Sequence, residues 1–214
     1  MSLKTELFEL SEKFKSIIES QQGVVEVPTE DFGWDNFRYE SPTFRLAHVE
    51  RYFIGGLLVL HVTCFPHKNS KAPVFGFDIV GGDAKDKIAG AFLDLSPIMY
   101  DESFHTTEWN TDRKLPIWAT VFSEQFIAVR PTSEEHTKLY DTGLDIFQRF
   151  IDKLNSGVDI TDSDDEIEQI IQKQNVYCEH QADNKRTFGA LKTKIGEERA
   201  KYFMTKVLFP PIEN

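Results

Sequence analysis

Four ionisable side chains lie on segments whose residue pattern is typical of β-strands: His48, Glu50, His61 and Asp78. Because alternate residues of a strand point to the same face, His48 and Glu50 share one face, and His61 shares a face with Thr63. If Gly55 and Gly56 are the central residues of a tight hairpin, Glu50 lies opposite His61 and His48 opposite Thr63. Imidazoles and carboxylates that burial tunes toward neutral pH indicate acid–base chemistry.

Asp78 is the most informative of the four because it stands between Phe77 and Ile79 in an apolar segment. A carboxylate is costly to bury unless it is hydrogen-bonded, paired or neutralised. One interpretation is a structural Asp–His pair that fixes the sheet. The other is a pocket in which titratable groups converge, which is the usual arrangement of an enzyme site. The presence of four such groups on neighbouring strands favours the pocket.

Other chemistries fit these residues less well. His61, Cys64 and His67 have the spacing of metal ligands, but His61 and Cys64 would point to opposite faces of a strand. His48-Val49-Glu50 matches the His-x-Glu of zinc deaminases, whose Cys-x-x-Cys partner is absent from the chain. Neither a nucleotide-binding glycine motif nor a Gly-x-Ser-x-Gly nucleophile elbow occurs. The sequence therefore predicts no metal site.

The segments that carry the ionisable residues are predicted strands. Their alternating or apolar runs are Phe44–Phe53, Leu57–Phe65, Val74–Val80 and Ile88–Leu95, separated by glycine pairs or a proline-containing loop. They indicate an antiparallel meander. Two further strands are predicted at Ile117–Ser123 and Phe126–Arg130.

Helical periodicity precedes and follows the strands. The predicted helices carry Leu7 to Ile18, Leu139 to Leu154 with a stop near Gly157, Ile167 to Ile171 after an acidic capping stretch, and Thr187 to Leu208. Helices on both sides of strands that are apolar on both faces predict an α/β fold. We expect a three-layer α/β/α sandwich with a central, largely antiparallel β-sheet flanked by helices on both faces. No repeat or long linker appears, so a single domain over residues 1–214 is expected.

Composition narrows the class of protein. The chain has 214 residues, a net charge of −11, 40% hydrophobic residues and two cysteines, so it can bury a core without disulfides or metal. Cys64 and Cys178 are interpreted as reduced thiols of an intracellular protein. No run approaches the roughly 20 apolar residues of a membrane span. The acidic balance argues against nucleic acid as the ligand. We expect a cytoplasmic protein with neither a membrane nor a nucleic acid partner.

An ordered set of motifs around these residues resembles the ferredoxin-dependent bilin reductase family, and within it the enzymes that make phycocyanobilin. The motifs are Ser41 to Arg45 with His48 to Glu50, Leu60 to Pro66, Pro73 to Val80, Asp94 to Pro97, Arg113 to Trp118, Phe122 to Glu124, Arg130-Pro131, Asn184 to Thr187, Gly196-Glu197 and Lys206 to Phe209. Because they occur in order over nearly the whole chain, the resemblance is specific.

The resemblance implies a reductase that holds biliverdin IXα between the sheet and the C-terminal helices and binds neither flavin nor metal. Electrons would arrive singly from the 2Fe-2S cluster of reduced ferredoxin, the bilin would carry the radical, and side chains would supply the protons. The implied product is phycocyanobilin. The alternatives are the same enzyme class producing phycoerythrobilin, and a non-catalytic bilin carrier.

The resemblance also assigns roles. Asp78 matches the central proton-donating aspartate, and His61 matches the histidine that shares a proton with it, so the two should titrate as a pair. Glu50 matches the glutamate near the D-ring vinyl group. The residues expected to bind substrate are His48, Thr63, Arg113, Asn184 and Arg186. Lys185 stands where many relatives have an acid, which shifts proton delivery onto Asp78, His61 and Glu50.

Two of these binding residues, Arg113 and Asn184, have alternative roles. Arg113 and Arg186 suit the two bilin propionates, because a guanidinium binds a carboxylate bidentately. Arg113 has a surface ion pair as its alternative role. Asn184 is either a residue of the loop that closes over the substrate or only a turn residue or helix cap.

The inferred electron donor is itself typically acidic, so a local basic patch must overcome the net negative charge. Cations cluster in the last part of the chain: Lys185, Arg186, Lys192, Lys194, Arg199, Lys201 and Lys206. We expect ferredoxin to dock near this basic C-terminal region. The resemblance favours a monomer.

Overall fold

The computed structural model describes residues 1–100, 109 and 121–213, and the chain divides into two compact units. The first unit consists of Met1–His67 and Ala72–Asp159, and the second of Lys68–Lys71 and Ile160–Asn214. The single domain over residues 1–214 stays a prediction.

The first unit contains an antiparallel sheet whose seven described strands follow one another in sequence order. The strands are β1 (Val25–Glu26), β2 (Asp35–Glu40), β3 (Phe44–Ile54), β4 (Leu57–Pro66), β5 (Val74–Gly82), β6 (Lys87–Ser96) and β7 (Ile127–Val129). The predicted meander corresponds to β3 through β6, and the predicted strand Phe126–Arg130 corresponds to β7. The expectation of a largely antiparallel sheet is therefore confirmed.

Two details differ from the sequence prediction. Strands β1 and β2 are not predicted, because β1 is very short and β2 alternates polar with aromatic residues at the sheet margin. Of the predicted strand Ile117–Ser123, only residues 121–123 are described. These form a turn and bend, so the prediction is wrong at that end.

The β3–β4 hairpin closes on Gly55 and Gly56, whose φ angles are 62° and 83°. Both angles lie in the left-handed region, which glycine adopts without the steric cost of a Cβ atom. The resulting register pairs Glu50 with His61 and His48 with Thr63, as predicted. On the next strand Asp78 pairs with His61.

Helices α1 (Leu3–Glu19) and α2 (His136–Ser156) pack on one face of the sheet. The Phe14 ring lies between strand and helix, with its centroid 5.4 Å from that of Phe77 and 5.3 Å from that of Phe147. At Gly143 in α2, a Cβ atom would lie 3.0 Å from the Phe77 ring, so a side chain here would press on that fully buried ring. Cys64 is fully buried in this core, where burial raises the pKa of its thiol.

The second unit is helical. It comprises α3 (Asp164–Ala182), α4 (Lys185–Ile195), α5 (Glu197–Tyr202) and a π-helical turn over Phe203–Leu208. Ser163 caps α3 by accepting a hydrogen bond from the Glu166 backbone N–H, in the acidic stretch where capping is predicted. The predicted helical region from Thr187 to Leu208 is interrupted at Gly196, whose φ is 84°. Among the helices described, none is long and apolar enough to cross a membrane.

Candidate active site

The predicted acid–base residues project from the sheet face opposite to α1 and α2. Core side chains such as Val62 and Phe77 alternate along β4 and β5 with His61 and Asp78, so the two sets point to opposite faces. Strand β3 adds His48 and Glu50, and β4 adds Thr63, directly across from His48. The structure thus brings together His48, Glu50, His61, Thr63 and Asp78 on three neighbouring strands.

His61 and Asp78 form a direct pair. His61 Nδ1 lies 2.5 Å from Asp78 Oδ1, and the exposed fraction of the side chain is 9% for His61 and 39% for Asp78. Burial alone would lower the pKa of His61, but the Asp78 charge, its hydrogen bond and the Glu50 charge together raise it. The imidazole is therefore held toward its protonated form beside a carboxylate that remains partly accessible.

Glu50 is a buried acid with a hydrogen-bond donor on one of its oxygens. Its exposed fraction is 6%, and Trp34 Nε1–H donates to Oε1 over 2.7 Å. Burial raises the pKa of Glu50 to about 7, although His61 and the Trp34 hydrogen bond oppose the rise. At neutral pH, protonated and ionised forms of Glu50 are therefore both populated, as a proton donor requires.

His48 is fully buried, and its neighbours fix its proton. Its Nε2 lies 3.1 Å from Asn36 Oδ1, while the Asn36 amide donates to the Trp34 carbonyl oxygen over 3.1 Å. Because Asn36 presents an acceptor, Nε2 of His48 carries the hydrogen and Nδ1 is a bare acceptor. Burial, followed by the charges of His61 and Arg38, lowers the pKa of His48 well below its usual value. His48 is thus a neutral imidazole.

Nδ1 of His48 and Oγ1 of Thr63 are buried polar atoms on this face that have no hydrogen-bond partner among the described residues. Since buried polar groups are normally hydrogen-bonded, these atoms suit the polar edge of a ligand. Together with the protons of His61 and Glu50, these atoms provide this sheet face with both hydrogen-bond donors and acceptors at neighbouring positions.

The remaining predicted site residues are Asn184, Arg186 and Arg113. Asn184 and Arg186 belong to the second unit and are exposed. Asn184 caps α4, because its side-chain oxygen accepts from the backbone N–H groups of Arg186 and Thr187 at 3.1 and 3.3 Å. The helix-cap interpretation of Asn184 is therefore confirmed, and a contact with substrate stays a prediction for both residues. Arg113 lies outside the described residues.

The sequence prediction does not identify Trp34 and Asn36, which form hydrogen bonds to Glu50 and His48, respectively. Asn36 lies on β2 directly opposite Glu50, and Arg38 lies opposite His48. The alternation of polar Asn36 and Arg38 with aromatic Phe37 and Tyr39 was the available signal for this strand. Among the described residues, no group of three or more His, Cys, Asp or Glu side chains is arranged to hold a metal ion.

Known proteins that are similar to this chain in sequence include bilin reductases. The sequence model of the ferredoxin-dependent bilin reductase family matches residues 1–210. Phycocyanobilin:ferredoxin oxidoreductase of Synechococcus sp. is 30% identical, with 82% of this chain and 75% of that protein covered. The protein of the same name from Trichodesmium erythraeum is 31% identical, with 80% of this chain and 74% of that protein covered.

Two solved structures share its fold. That of PcyX has a TM-score of 0.68 and 23% identity, and the match covers 97% of this chain and 99% of the other. Phytochromobilin synthase from tomato, solved in complex with biliverdin, has a TM-score of 0.72 and 18% identity, with 97% and 83% covered. At these identities the likeness shows the fold, and it confirms the predicted α/β sandwich class.

Proposed function

The chain belongs to the ferredoxin-dependent bilin reductase family, and we propose that within it this protein reduces biliverdin IXα to phycocyanobilin with electrons from reduced ferredoxin. Identities of 30% and 31% to two phycocyanobilin:ferredoxin oxidoreductases support this product. The observation that carries the proposal is the grouping of Glu50, His61 and Asp78 on one sheet face.

Reduction of a bilin by single electrons requires one proton for each electron, because an added electron makes the tetrapyrrole more basic. We infer that radical intermediates form on the bilin and that side chains quench them by proton transfer. A pKa of about 7 lets Glu50 give up a proton near neutral pH and regain one from solvent. His61, whose pKa is raised, holds a second proton that it can supply through its hydrogen bond to Asp78.

The roles divide by position on the sheet. Glu50 would protonate the D-ring vinyl group. Asp78 with His61 would exchange protons with the cationic form of the substrate and in the reduction of its A ring. His48 Nδ1 would accept a hydrogen bond at the bilin edge, and Thr63 Oγ1 would accept or donate one. Arg113 and Arg186 would bind the propionates, since their guanidinium groups match carboxylates in charge and geometry. Asn184 would contact the substrate through its amide nitrogen.

Ferredoxin would dock on the basic C-terminal region. Several of its lysines make ion pairs with nearby acids, namely Lys185 with Asp183, Lys192 with Glu197, and Lys206 with Glu213. All three pairs are substantially exposed, so salt screens them and an acidic partner can compete for the lysines. We further propose that the protein acts as a monomer in the cytoplasm, as one domain over residues 1–214.

The test is anaerobic turnover of biliverdin with reduced ferredoxin, with products separated by chromatography against standards. We expect phycocyanobilin, formed only when ferredoxin is present. A phycoerythrobilin product would refute the assigned product and retain the enzyme class. Binding of biliverdin without any spectral turnover would refute both enzyme proposals and leave a bilin carrier.

A further inference from the structure

A tryptophan outside the predicted catalytic set donates a hydrogen bond to one of the two Glu50 oxygens. Trp34 Nε1–H lies 2.7 Å from Oε1 of Glu50. An indole nitrogen donates a hydrogen bond and does not accept one. Oε1 is therefore the acceptor oxygen, and the proton of neutral Glu50 sits on Oε2.

The indole is held in place from several sides. Its ring centroid lies 5.0 Å from that of Tyr52, in an edge-on contact, and 5.7 Å from that of Phe32. The backbone carbonyl of Trp34 accepts the Asn36 amide at 3.1 Å, and the whole residue is 9% exposed. A donor fixed in this way holds the Glu50 carboxyl group in one of its two flipped orientations.

We propose that Trp34 is a positioning residue that keeps the proton of Glu50 on Oε2 and so sets the direction in which Glu50 delivers it. The delivery half of this inference rests on the proposed function, in which Glu50 protonates the bilin. The indole N–H also stabilises the carboxylate that remains after transfer, because hydrogen bonds to charged acceptors are the stronger ones. Without it, the carboxyl group can flip and holds its proton more tightly.

The direct test is infrared difference spectroscopy of the ligand-free protein during a pH titration. The carbonyl band of protonated Glu50 is the band that is missing from Glu50→Gln. In Trp34→Phe, which keeps an aromatic ring and loses the N–H, we expect this band to move to higher frequency, because the C=O oxygen loses its hydrogen bond. The titration midpoint should rise by about one pH unit.

Tyr52→Phe is the matched control, since it alters a ring neighbour of Trp34 without removing the donor to Glu50. It should leave the band and its midpoint unchanged. A Glu50 carbonyl band at the same frequency in wild type and Trp34→Phe would overturn the proposal. With the proton on Oε1, the carbonyl oxygen would be Oε2, which has no hydrogen bond to the indole to lose.

A second measurement avoids dependence on the folding of Trp34→Phe. The chain has three tryptophans, so nitrogen-15 labelling gives three indole N–H resonances, assigned through Trp109→Phe and Trp118→Phe. We expect the Trp34 resonance to titrate with a midpoint at a pH of about 7 in wild type and to lose this transition in Glu50→Gln. Identical pH dependence in the two proteins would overturn the proposal.

Turnover tests the delivery half. Trp34→Phe should lower kcat for biliverdin by about tenfold with little change in KM, and its products should contain a larger share of bilin that retains the D-ring vinyl group. Unchanged kcat and products, alongside a shifted infrared band, would overturn directed delivery. A wild-type protein that reduces no biliverdin would refute the proposed function instead, and the two spectra would still decide where the proton sits.

Discussion

Glu50→Gln removes the ionisation of a buried acid while keeping its size and its acceptor oxygen for Trp34. Burial raises the pKa of Glu50 to about 7 from an ordinary value of 4.5. Because the folded-state pKa lies above the unfolded value, the unfolded chain releases the Glu50 proton first as pH rises. Ionisation of Glu50 therefore costs folding stability progressively from pH 4.5 upward, and the cost levels off above pH 7.

The size of this cost follows from the difference in pKa. Each pKa unit corresponds to about 1.4 kcal/mol, so the full cost at alkaline pH is about 3 kcal/mol. Glutamine avoids this cost, and the pKa of about 7 already includes the opposing attraction between Glu50 and His61. We therefore expect the stability advantage of Glu50→Gln over wild type to grow by about 2 kcal/mol between about pH 5 and about pH 8.

The assay is urea unfolding of wild type and Glu50→Gln at both pH values. Glu9→Gln, at an exposed position of α1, is the control for removing one negative charge from the acidic chain. The difference in unfolding free energy between Glu9→Gln and wild type should change little between the two pH values. A Glu50→Gln protein that gains no stability relative to wild type as pH rises would refute the conclusion that Glu50 is desolvated.

Three further outcomes are expected. Asp78→Asn should bind biliverdin with nearly unchanged affinity in absorbance titrations and lose turnover by at least about a hundredfold, and an unchanged rate would remove Asp78 from the mechanism. Gly143→Ala should lower the free energy of unfolding by about 1 kcal/mol, because the clash with Phe77 outweighs the better helix propensity of alanine; a stabilised variant in urea unfolding would contradict this packing. The kcat/KM for ferredoxin should fall several-fold between low and high salt, and a salt-independent value would argue against docking on the basic C-terminal region.

The central part of the site could be predicted from sequence because local rules determine it. Gly55 and Gly56 define the turn, and the strict alternation of a strand then fixes that Glu50 meets His61. The position of Asp78 relative to His61 depends on the register of the third strand, which no short turn determines. Its placement beside His61 depends on the longer loop between β4 and β5 and on the packing of the whole sheet.

The proton-positioning residues could not be predicted in the same way. Trp34 precedes β2, and its role depends on the reach of its indole across to Glu50, which periodicity does not encode. Asn36 acts through two hydrogen bonds at once, one to His48 and one to the Trp34 backbone. Such contacts follow from the relative positions of side chains on paired strands, so they emerge only once the sheet is assembled.

Single-turnover reduction of biliverdin by Glu50→Gln tests the proposed role of Glu50, because Glu50 is assigned to one chemical group of the substrate. The reaction is run anaerobically with reduced ferredoxin, and the bilins are separated and compared with standards that retain or lack the D-ring vinyl group. We predict that wild type yields phycocyanobilin and that Glu50→Gln yields bilins that keep the D-ring vinyl group. Formation of phycocyanobilin by Glu50→Gln at the wild-type rate would rule out Glu50 as the proton donor to the D-ring vinyl group.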